Sequence, residues 1–317
     1  MEHVIHKNAG HEQLTIEVLE KPHFLGSEID KTFFEGCSQA AANIIRGDPA
    51  LPPQLKVLGD IVSGQMDADR TDYLLRDSLH CGVDYGRFDY RRMIECLELF
   101  RGPGDSLEIA LNRGGIHTFE ALILARYQMN SQVYFHRIRR IYDLYLERYF
   151  EAMGDERFGT VEKILEQNDV TMMALILNDA SRGDSGVKHW ARRIVERDHH
   201  KVIHETGEMT SAMDLKYSKE LVTELREKFQ DTEFLWDRAS AKIHSLLLPD
   251  DMSDEGRQGL WVVGNEGDKK QLGEQSHILR HVPREFQVAR TFADSDAVKR
   301  KEIRDWARRR YQELGGR

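Results

Sequence analysis

The stretch over residues 66–77 restricts the fold more than any other part of the chain. It reads MDADRTDYLLRD, without glycine, proline or a β-branched run, and this composition predicts a helix. Side chains three and four residues apart share a helical face. Asp69, Tyr73 and Asp77 therefore form one row, and Arg70 lies beside it. Because unpaired charge is expensive to bury, the row either faces water with i,i+4 charge pairs or lines a polar cavity that holds a partner.

Composition sets the class of protein. The 317 residues suffice for one large or two modest domains, and 40% hydrophobic with 31% charged residues suits a helix-rich globular chain. The formal net charge of −9 gives no reason to expect a general nucleic-acid-binding surface. Three cysteines without CxxC spacing indicate a reducing compartment and exclude a cysteine-based zinc site. The sequence shows neither a membrane span nor a signal peptide, so we expect a cytoplasmic protein.

Hydrophobic periodicity predicts mostly helix. The spacing indicates helical segments over residues 11–19, 37–45, 55–62, 66–77, 89–100, 118–153, 161–177, 190–200, 217–248 and 299–314. Short apolar or alternating runs predict strands over residues 107–111, 260–263 and 286–292. Turn residues between 154 and 159 suggest a boundary between a region 1–153 and a region 154–317.

Two further groups could carry chemistry. Arg126, Tyr134 and Arg137 recur along one face of the predicted long helix, which is either a wet arginine-rich side or a row that faces phosphate. His11 and Glu12 fall in the first turn of a helix, where the glutamate suits the helix dipole and the histidine suits an ordinary surface. The sequence contains no P-loop, GxGxxG, GxSxG or HExxH motif, so kinase, Rossmann, serine-hydrolase and zincin functions have no support.

The run DADRTDYLLRDSLHCGVDYGRFD over residues 67–89 closely resembles the second signature of the HD-domain phosphohydrolases. The nearest branch is the deoxynucleoside triphosphate (dNTP) triphosphohydrolases, or dGTPase-like enzymes. The resemblance implies a mostly α fold with an HD-type helical core and a small α+β C-terminal lobe. It also implies hydrolysis of a dNTP to a deoxynucleoside and triphosphate.

The resemblance assigns roles to single residues of this chain. Asp69 looks like a metal ligand, and Arg70 like a cation that contacts phosphate. Tyr73 and Asp77 look like contacts to the deoxyribose. His11 resembles a catalytic acid or electrostatic stabiliser that Glu12 supports. Four residues of the long helical segment match substrate-contacting positions of relatives, namely Arg126, Tyr134, His136 and Arg137.

The metal site departs from the family pattern. Relatives hold one or two divalent metals with two histidines and two aspartates, and the metal, whether Mn, Mg, Fe, Ni or Zn, polarises a phosphate oxygen. The dipeptide His-Asp occurs nowhere in this chain, and only His3 and His6 precede His11. We therefore expect a chain that begins inside an HD domain, lacks three of four metal ligands, holds metal poorly and has impaired activity.

Two alternatives stay open at this point. One is an HD phosphohydrolase that acts on another nucleotide or phosphate ester. The other is a catalytically inactive oligomeric regulatory protein that binds nucleotide or nucleic acid, which Arg139 and Arg140 permit and the net acidity does not favour. The expected partners are a dNTP and, by resemblance, further copies of the chain in a homo-oligomer, with no membrane.

Overall fold

The structure, a computed structural model, describes residues 10–316 apart from residue 22 and the segments 102–106, 155–157, 247, 249–258 and 265–267. The elements of the first part follow one another in the order α1 (His11–Glu20), α2 (Leu25–Thr32), α3 (Cys37–Arg46), α4 (Pro53–Ser63), α5 (Ala68–Cys81), α6 (Tyr90–Glu95), β1 (Leu97–Arg101), β2 (Leu107–Asn112) and α7 (Ile116–Met129). The middle part contains α8 (Arg137–Met153), α9 (Val161–Leu165), α10 (Asp169–Arg182), α11 (Ser185–Val195), β3 (Lys201–Glu205), α12 (Ala212–Lys228) and β4 (Phe234–Lys242). The last part contains β5 (Trp261–Val263), β6 (Lys269–Gln271), α13 (Leu272–Gln275), β7 (Glu285–Ala293) and α14 (Ala297–Glu313).

Helix dominates the described residues, so the prediction of a mostly α fold with small sheets is confirmed. Strands β2, β5 and β7 lie where the sequence predicted strands. None of the helices in the described ranges is both long and apolar enough to cross a membrane.

The predicted helix over residues 89–100 is wrong in its second half. Helix α6 ends at Glu95, and β1 follows in an antiparallel pair with β2 that places Leu97 opposite Leu111. Ile94, one of the apolar residues at helical spacing in this segment, is 56% exposed. The strand depends on a partner that only the folded chain provides, so helical spacing of apolar residues was a misleading signal here.

The predicted continuous helix over residues 118–153 is also wrong. Helix α7 ends at Met129 and passes into a π-helical turn over Asn130–Tyr134, where the Asn130 side chain donates to the carbonyl of Arg126 at 2.8 Å. Helix α8 then begins anew with His136 as its N-cap. The row from Arg126 to Arg137 is therefore not one helical face.

Two strands lie within segments that were predicted as helix or its flanks. Strand β3 follows α11 directly, and β4 occupies the second half of the segment 217–248. Both lie beside β7 in a three-stranded sheet of order β3-β7-β4, and β3 pairs with β7 in antiparallel fashion with a bulge between Val202 and His204. Strand β7 is the buried centre of this sheet. No local sequence pattern reveals that β3 and β4 lie on either side of it.

The chain divides into two compact units. The N-terminal unit comprises residues 11–133 and 242–285, and the C-terminal unit comprises residues 134–241 and 286–317. The predicted boundary after residue 153 coincides with the end of α8, inside the C-terminal unit. Each unit is described by itself below.

The N-terminal unit has a helical core and one mixed sheet. Strands run in the order β1-β2-β5-β6, with β2 and β5 parallel and the other neighbours antiparallel. Helix α7 is its most buried helix, because Phe119, Leu122 and Ile123 are almost fully enclosed. Leu74 of α5 is fully buried as well, which fixes the orientation of that helix about its own axis.

The C-terminal unit packs α8, α11, α12 and α14 around the β3-β7-β4 sheet. Within it Arg140 of α8 forms a bidentate ion pair with Asp237 of β4, with nitrogen–oxygen distances of 2.9 and 2.5 Å. The Asp237 residue is only 3% exposed. A buried carboxylate needs such a partner because an unpaired charge is costly in the interior.

His204 of β3 makes the stability of the C-terminal unit depend on pH. Burial lowers the pKa of His204 from 6.5 to about 4, with nearby Glu205 opposing the shift. Between these values the unfolded chain binds more protons than the folded chain, so stability rises with pH and falls as the pH drops from 6.5 to 4. We expect this side chain to remove about 3 kcal/mol of unfolding free energy over that interval. Urea unfolding of wild type and His204→Phe at several pH values tests this, and identical pH slopes would contradict it.

Candidate functional site

The start of α5 is built around Asp67, the N-cap of that helix. Its carboxylate accepts the backbone N–H of Arg70 at 2.7 Å and lies 3.1 Å from the Arg70 guanidinium. The Arg70 side chain also donates to the carbonyl of Gly64. Aspartate is a favoured N-cap because its oxygen satisfies an amide that the helix leaves free. The cap therefore fixes where the Arg70 guanidinium lies.

Tyr73 and Arg126 meet beside this cap. Tyr73 is half-buried one turn along α5 from Arg70, and Arg126 is half-buried in the last turn of α7. Burial raises the pKa of Tyr73, while the charges of Arg126 and Arg70 oppose that rise. The Tyr73 phenol consequently stays protonated and can donate a hydrogen bond.

Arg126 is the least satisfied cation of the group. Burial and the neighbouring charge of Arg70 lower the pKa of Arg126, and Tyr73 and Asp67 act in the opposite direction. Its Nε atom is buried with no hydrogen-bond partner among the residues that the structure describes. A buried donor without an acceptor is unusual and costs free energy. An anionic ligand would supply both the missing acceptor and the missing charge.

Asp67 had no predicted role, yet it is the most buried residue of the group formed with Arg70, Tyr73 and Arg126. Asp67 is 4% exposed, and this burial raises its pKa. The hydrogen bond from Arg70 and the charges of Arg70 and Arg126 oppose the rise. Its signal in the sequence was present, because an aspartate directly before a helix is a typical N-cap. The carbonyl of Gly64 carries no comparable signal.

Asp69 and Asp77 lie on the same helix as Tyr73. Asp69 is in the first turn of α5, exposed, and close enough to Tyr73 to raise its pKa. Asp77 is half-buried, and one of its oxygens lies 3.6 Å from the Arg76 guanidinium. The predicted row on α5 is thus present, with Tyr73 and Asp77 half-buried and Asp69 exposed.

His11 and Glu12 lie in the first turn of α1, also in the N-terminal unit. Both are exposed, and the carbonyl of His11 accepts the hydroxyl of Thr15 at 2.9 Å. Helix α1 packs on α2 and α3 through Ile16 and Leu19. A catalytic role for His11 and Glu12 stays a prediction.

Tyr134, His136 and Arg137 belong to the C-terminal unit. The Tyr134 ring lies 5.9 Å from the Arg139 guanidinium. His136 caps α8 by accepting the amide of Ile138 at 3.4 Å, and burial lowers the pKa of His136, followed by the charge of Arg137. The capping role accounts for the position of His136 without a substrate. A substrate contact from these three residues remains a prediction.

One group of side chains in the described ranges brings three possible metal ligands together, and it lies in the C-terminal unit. His200, Glu233 and Asp294 place their ligand atoms within 4.8 Å of one another. The Tyr145 hydroxyl accepts the backbone N–H of His200 at 2.8 Å and lies 2.7 Å from Nδ1 of the same ring. Because the Glu233 carboxylate beside Nε2 can only accept, the ring proton lies on Nε2 and the Tyr145 hydroxyl donates to Nδ1.

Nε2 of His200 donates that proton to Glu233 at 3.1 Å, and this hydrogen bond lowers the pKa of Glu233. Asp294 is paired with the Arg193 guanidinium. The three groups thus satisfy one another and Arg193, which is the pattern of a structural ion-pair network. A metal ion would have to displace the His200 proton beside an arginine, so this group does not fit a metal.

Asp69 does not complete a metal site either. No group of three histidine, cysteine, aspartate or glutamate ligands forms around it among the described residues. That divalent metal is held poorly therefore stays a prediction.

The chain matches one protein family and resembles solved structures. Residues 88–285 match the family described as HD associated region. The crystal structure of a hypothetical protein from Aquifex aeolicus superposes with a TM-score of 0.72 at 24% identity, covering 98% of this chain and 74% of that one. A phosphohydrolase from Bacteroides thetaiotaomicron superposes with a TM-score of 0.65 at 19% identity, covering 93% and 74%. These likenesses show the fold.

Relatives by sequence are uncharacterized proteins. The chain is 36% identical over 118 residues to MJ1154 of Methanocaldococcus jannaschii and 39% identical over 93 residues to YwfO of Bacillus subtilis. These matches cover 37% and 29% of this chain. They span 26% and 20% of the respective relatives, about a quarter of their length or less.

Proposed function

The chain belongs to the HD-associated region family, and from that premise we propose that it is an HD-type phosphohydrolase whose substrate is a dNTP. The reaction would release a deoxynucleoside and triphosphate. In this proposal the N-terminal unit binds the substrate, with Arg70 and Arg126 at the phosphates. Tyr73 and Asp77 lie against the deoxyribose.

The observation that carries the proposal is the orphaned Nε atom of Arg126 next to Arg70 and Tyr73. Arg126 is half-buried, and the charge of Arg70 helps to lower its pKa while Tyr73 and Asp67 oppose that effect, so a bound anion would favour the charged form of Arg126. Arginine binds phosphate oxygens through two parallel N–H groups, which suits a triphosphate better than a neutral ligand. The protonated phenol of Tyr73 supplies a donor or a ring face for the sugar.

The proposed reaction requires a divalent metal ion. A divalent ion would polarise the scissile phosphate, and Asp69 is the residue proposed to ligate it. Because the described residues do not complete that site, we expect substrate binding by this chain to exceed its catalysis by far. An HD phosphohydrolase of another nucleotide or phosphate ester remains the second candidate, since Arg70 and Arg126 would serve any anionic phosphate.

A ligand panel tests the proposal. Equilibrium dialysis of the chain with labelled dGTP should show saturable binding, and the corresponding monophosphate should compete at least about tenfold more weakly because it lacks the outer phosphates. The corresponding ribonucleotide should also compete less well, because the proposal places Tyr73 and Asp77 against the deoxyribose.

The outcomes separate the candidates. Equal competition by simple phosphate esters would favour the second candidate over a dNTP hydrolase. Absence of nucleotide binding would overturn both. Release of triphosphate from dGTP with Mn²⁺ or Mg²⁺ at an ordinary enzymatic rate would confirm the reaction and contradict the expectation of a poorly held metal.

A further inference from the structure

A basic cavity lies in the C-terminal unit, and its lining residues are different from those used in the proposed function. It has a volume of about 770 Å³, within the usual range for small-molecule pockets. Its wall contains one acidic residue, Glu205, which is already ion-paired with Arg290. Five lysine or arginine residues line it, namely Arg137, Lys201, Arg300, Arg304 and Arg308.

Three of these cations form a row on α14. Arg300, Arg304 and Arg308 are spaced four residues apart, so they share one face of the helix and extend over about 12 Å along its axis. Like charges at this spacing destabilise a helix. Arg137 adds a further unfavourable charge, because it occupies the positive N-terminal end of α8. The arrangement is costly unless an anion is bound.

The hydrogen bonds of Arg300 and Arg304 go to backbone carbonyl groups. Arg304 donates to the carbonyl of Val202 at 3.1 and 2.6 Å, and Arg300 donates to the carbonyl of Ser295 at 2.6 Å. Carbonyl groups orient a guanidinium without neutralising it. Among the described residues, none of the five cations forms an ion pair with a carboxylate at 4.0 Å or less, although the charge of Arg300 contributes to the lowered pKa of Asp296.

Uncharged groups complete the wall. The His204 ring packs against the Tyr311 ring at an angle of 49° with centroids 4.2 Å apart, and burial keeps that histidine neutral near pH 7. The Nε atom of Arg300 is buried and has no hydrogen-bond partner among the described residues. Apolar rings beside the cations exclude water, which strengthens the attraction of an anion to the cavity.

We propose that this cavity binds a linear inorganic oligophosphate, of which triphosphate is the shortest well-suited member. A single phosphate reaches one or two guanidinium groups, whereas a row of about 12 Å requires several linked anionic groups. A nucleic-acid strand fits less well, because the exposed Glu302 and Asp305 on α14 would repel a long polyanion that continued beyond the cavity. The proposal does not depend on the proposed function of the N-terminal unit.

The test is calorimetric titration of the full chain with sodium triphosphate near neutral pH. Arg308→Gln is the informative variant, because Arg308 has no described bond to protein that its loss would break. We expect the variant to bind at least about tenfold more weakly, and the double variant R304Q/R308Q to lose about two orders of magnitude. Binding should weaken with added salt, and orthophosphate should bind at least about tenfold more weakly than triphosphate.

A matched control removes two charges from the same helix outside the cavity. K301Q/R309Q should keep the wild-type affinity, since neither residue lines the cavity. Equal losses in R304Q/R308Q and K301Q/R309Q would overturn the proposal, as would failure of the wild type to bind triphosphate. Triphosphate binding that disappears in Arg126→Gln and persists in Arg308→Gln would assign the anion to the N-terminal unit instead. A single-stranded oligonucleotide that binds and is not displaced by triphosphate would also contradict it.

Discussion

Replacing Arg126 with glutamine should weaken dGTP binding by about two orders of magnitude, equivalent to about 2–3 kcal/mol for a charge-assisted bond to phosphate. The side chain is half-buried, its Nε atom is unpaired among the described residues, and Arg70 lies close enough to disfavour its charge. A ligand phosphate would accept a hydrogen bond from the Nε atom and would offset both the burial of the charge and the repulsion from Arg70. Equilibrium dialysis with labelled dGTP measures the change.

Stability gives this prediction a second readout. Because the charge of Arg126 destabilises the free protein, Arg126→Gln should unfold at the same urea concentration as wild type or at a higher one. Arg87→Gln is the control, since Arg87 follows α5 in the chain and pairs with the exposed Asp84 at 3.0 Å. That variant should retain the wild-type affinity for dGTP. A large loss of stability in Arg126→Gln would mean that Arg126 serves the fold and not a ligand.

Replacing Arg140 with methionine should remove about 3–5 kcal/mol of unfolding free energy, the largest effect on stability that we expect from one substitution. The change leaves the Asp237 carboxylate buried without its bidentate partner. Asp143, which also lies 3.1 Å from Arg140, loses a contact as well. Urea unfolding followed by circular dichroism measures the loss.

Two further variants isolate the cause. Arg140→Met combined with Asp237→Leu should recover part of the lost stability, because the double variant no longer buries an unpaired charge. Arg148→Met on the same helix should cost less than about 1 kcal/mol, because Arg148 pairs with Glu151 at the surface. Equal effects of Arg140→Met and Arg148→Met would show that the burial of the pair is not what matters.

The sequence predicted the parts of the fold that depend on neighbouring residues. Helix α5 was predicted because no glycine, proline or β-branched run interrupts residues 66–77, and β5 because a short β-branched run is closed by turn residues. Strands β1, β3 and β4 were missed because each is stabilised by a partner strand and its own spacing is compatible with helix. The π-helical turn before Tyr134 was missed because no glycine or proline marks it.

The candidate site was predictable to the extent that one helix carries it. The row from Asp69 to Asp77 follows from helical spacing, and its proximity to Arg126 followed only from resemblance. The buried cap Asp67 could have been recognised as an N-cap, whereas its burial required the structure. The basic cavity was not recognised, because α14 was taken as an ordinary charged helix and the other cations come from distant segments.

A crystal structure of the chain grown with dGTP tests the central claim most directly. It should show the triphosphate bound by the guanidinium groups of Arg70 and Arg126, with the deoxyribose against Tyr73. A nucleotide found only elsewhere, with the Arg126 side chain unchanged and no ligand oxygen near it, would contradict the assignment of α5 and α7 as the substrate-binding site.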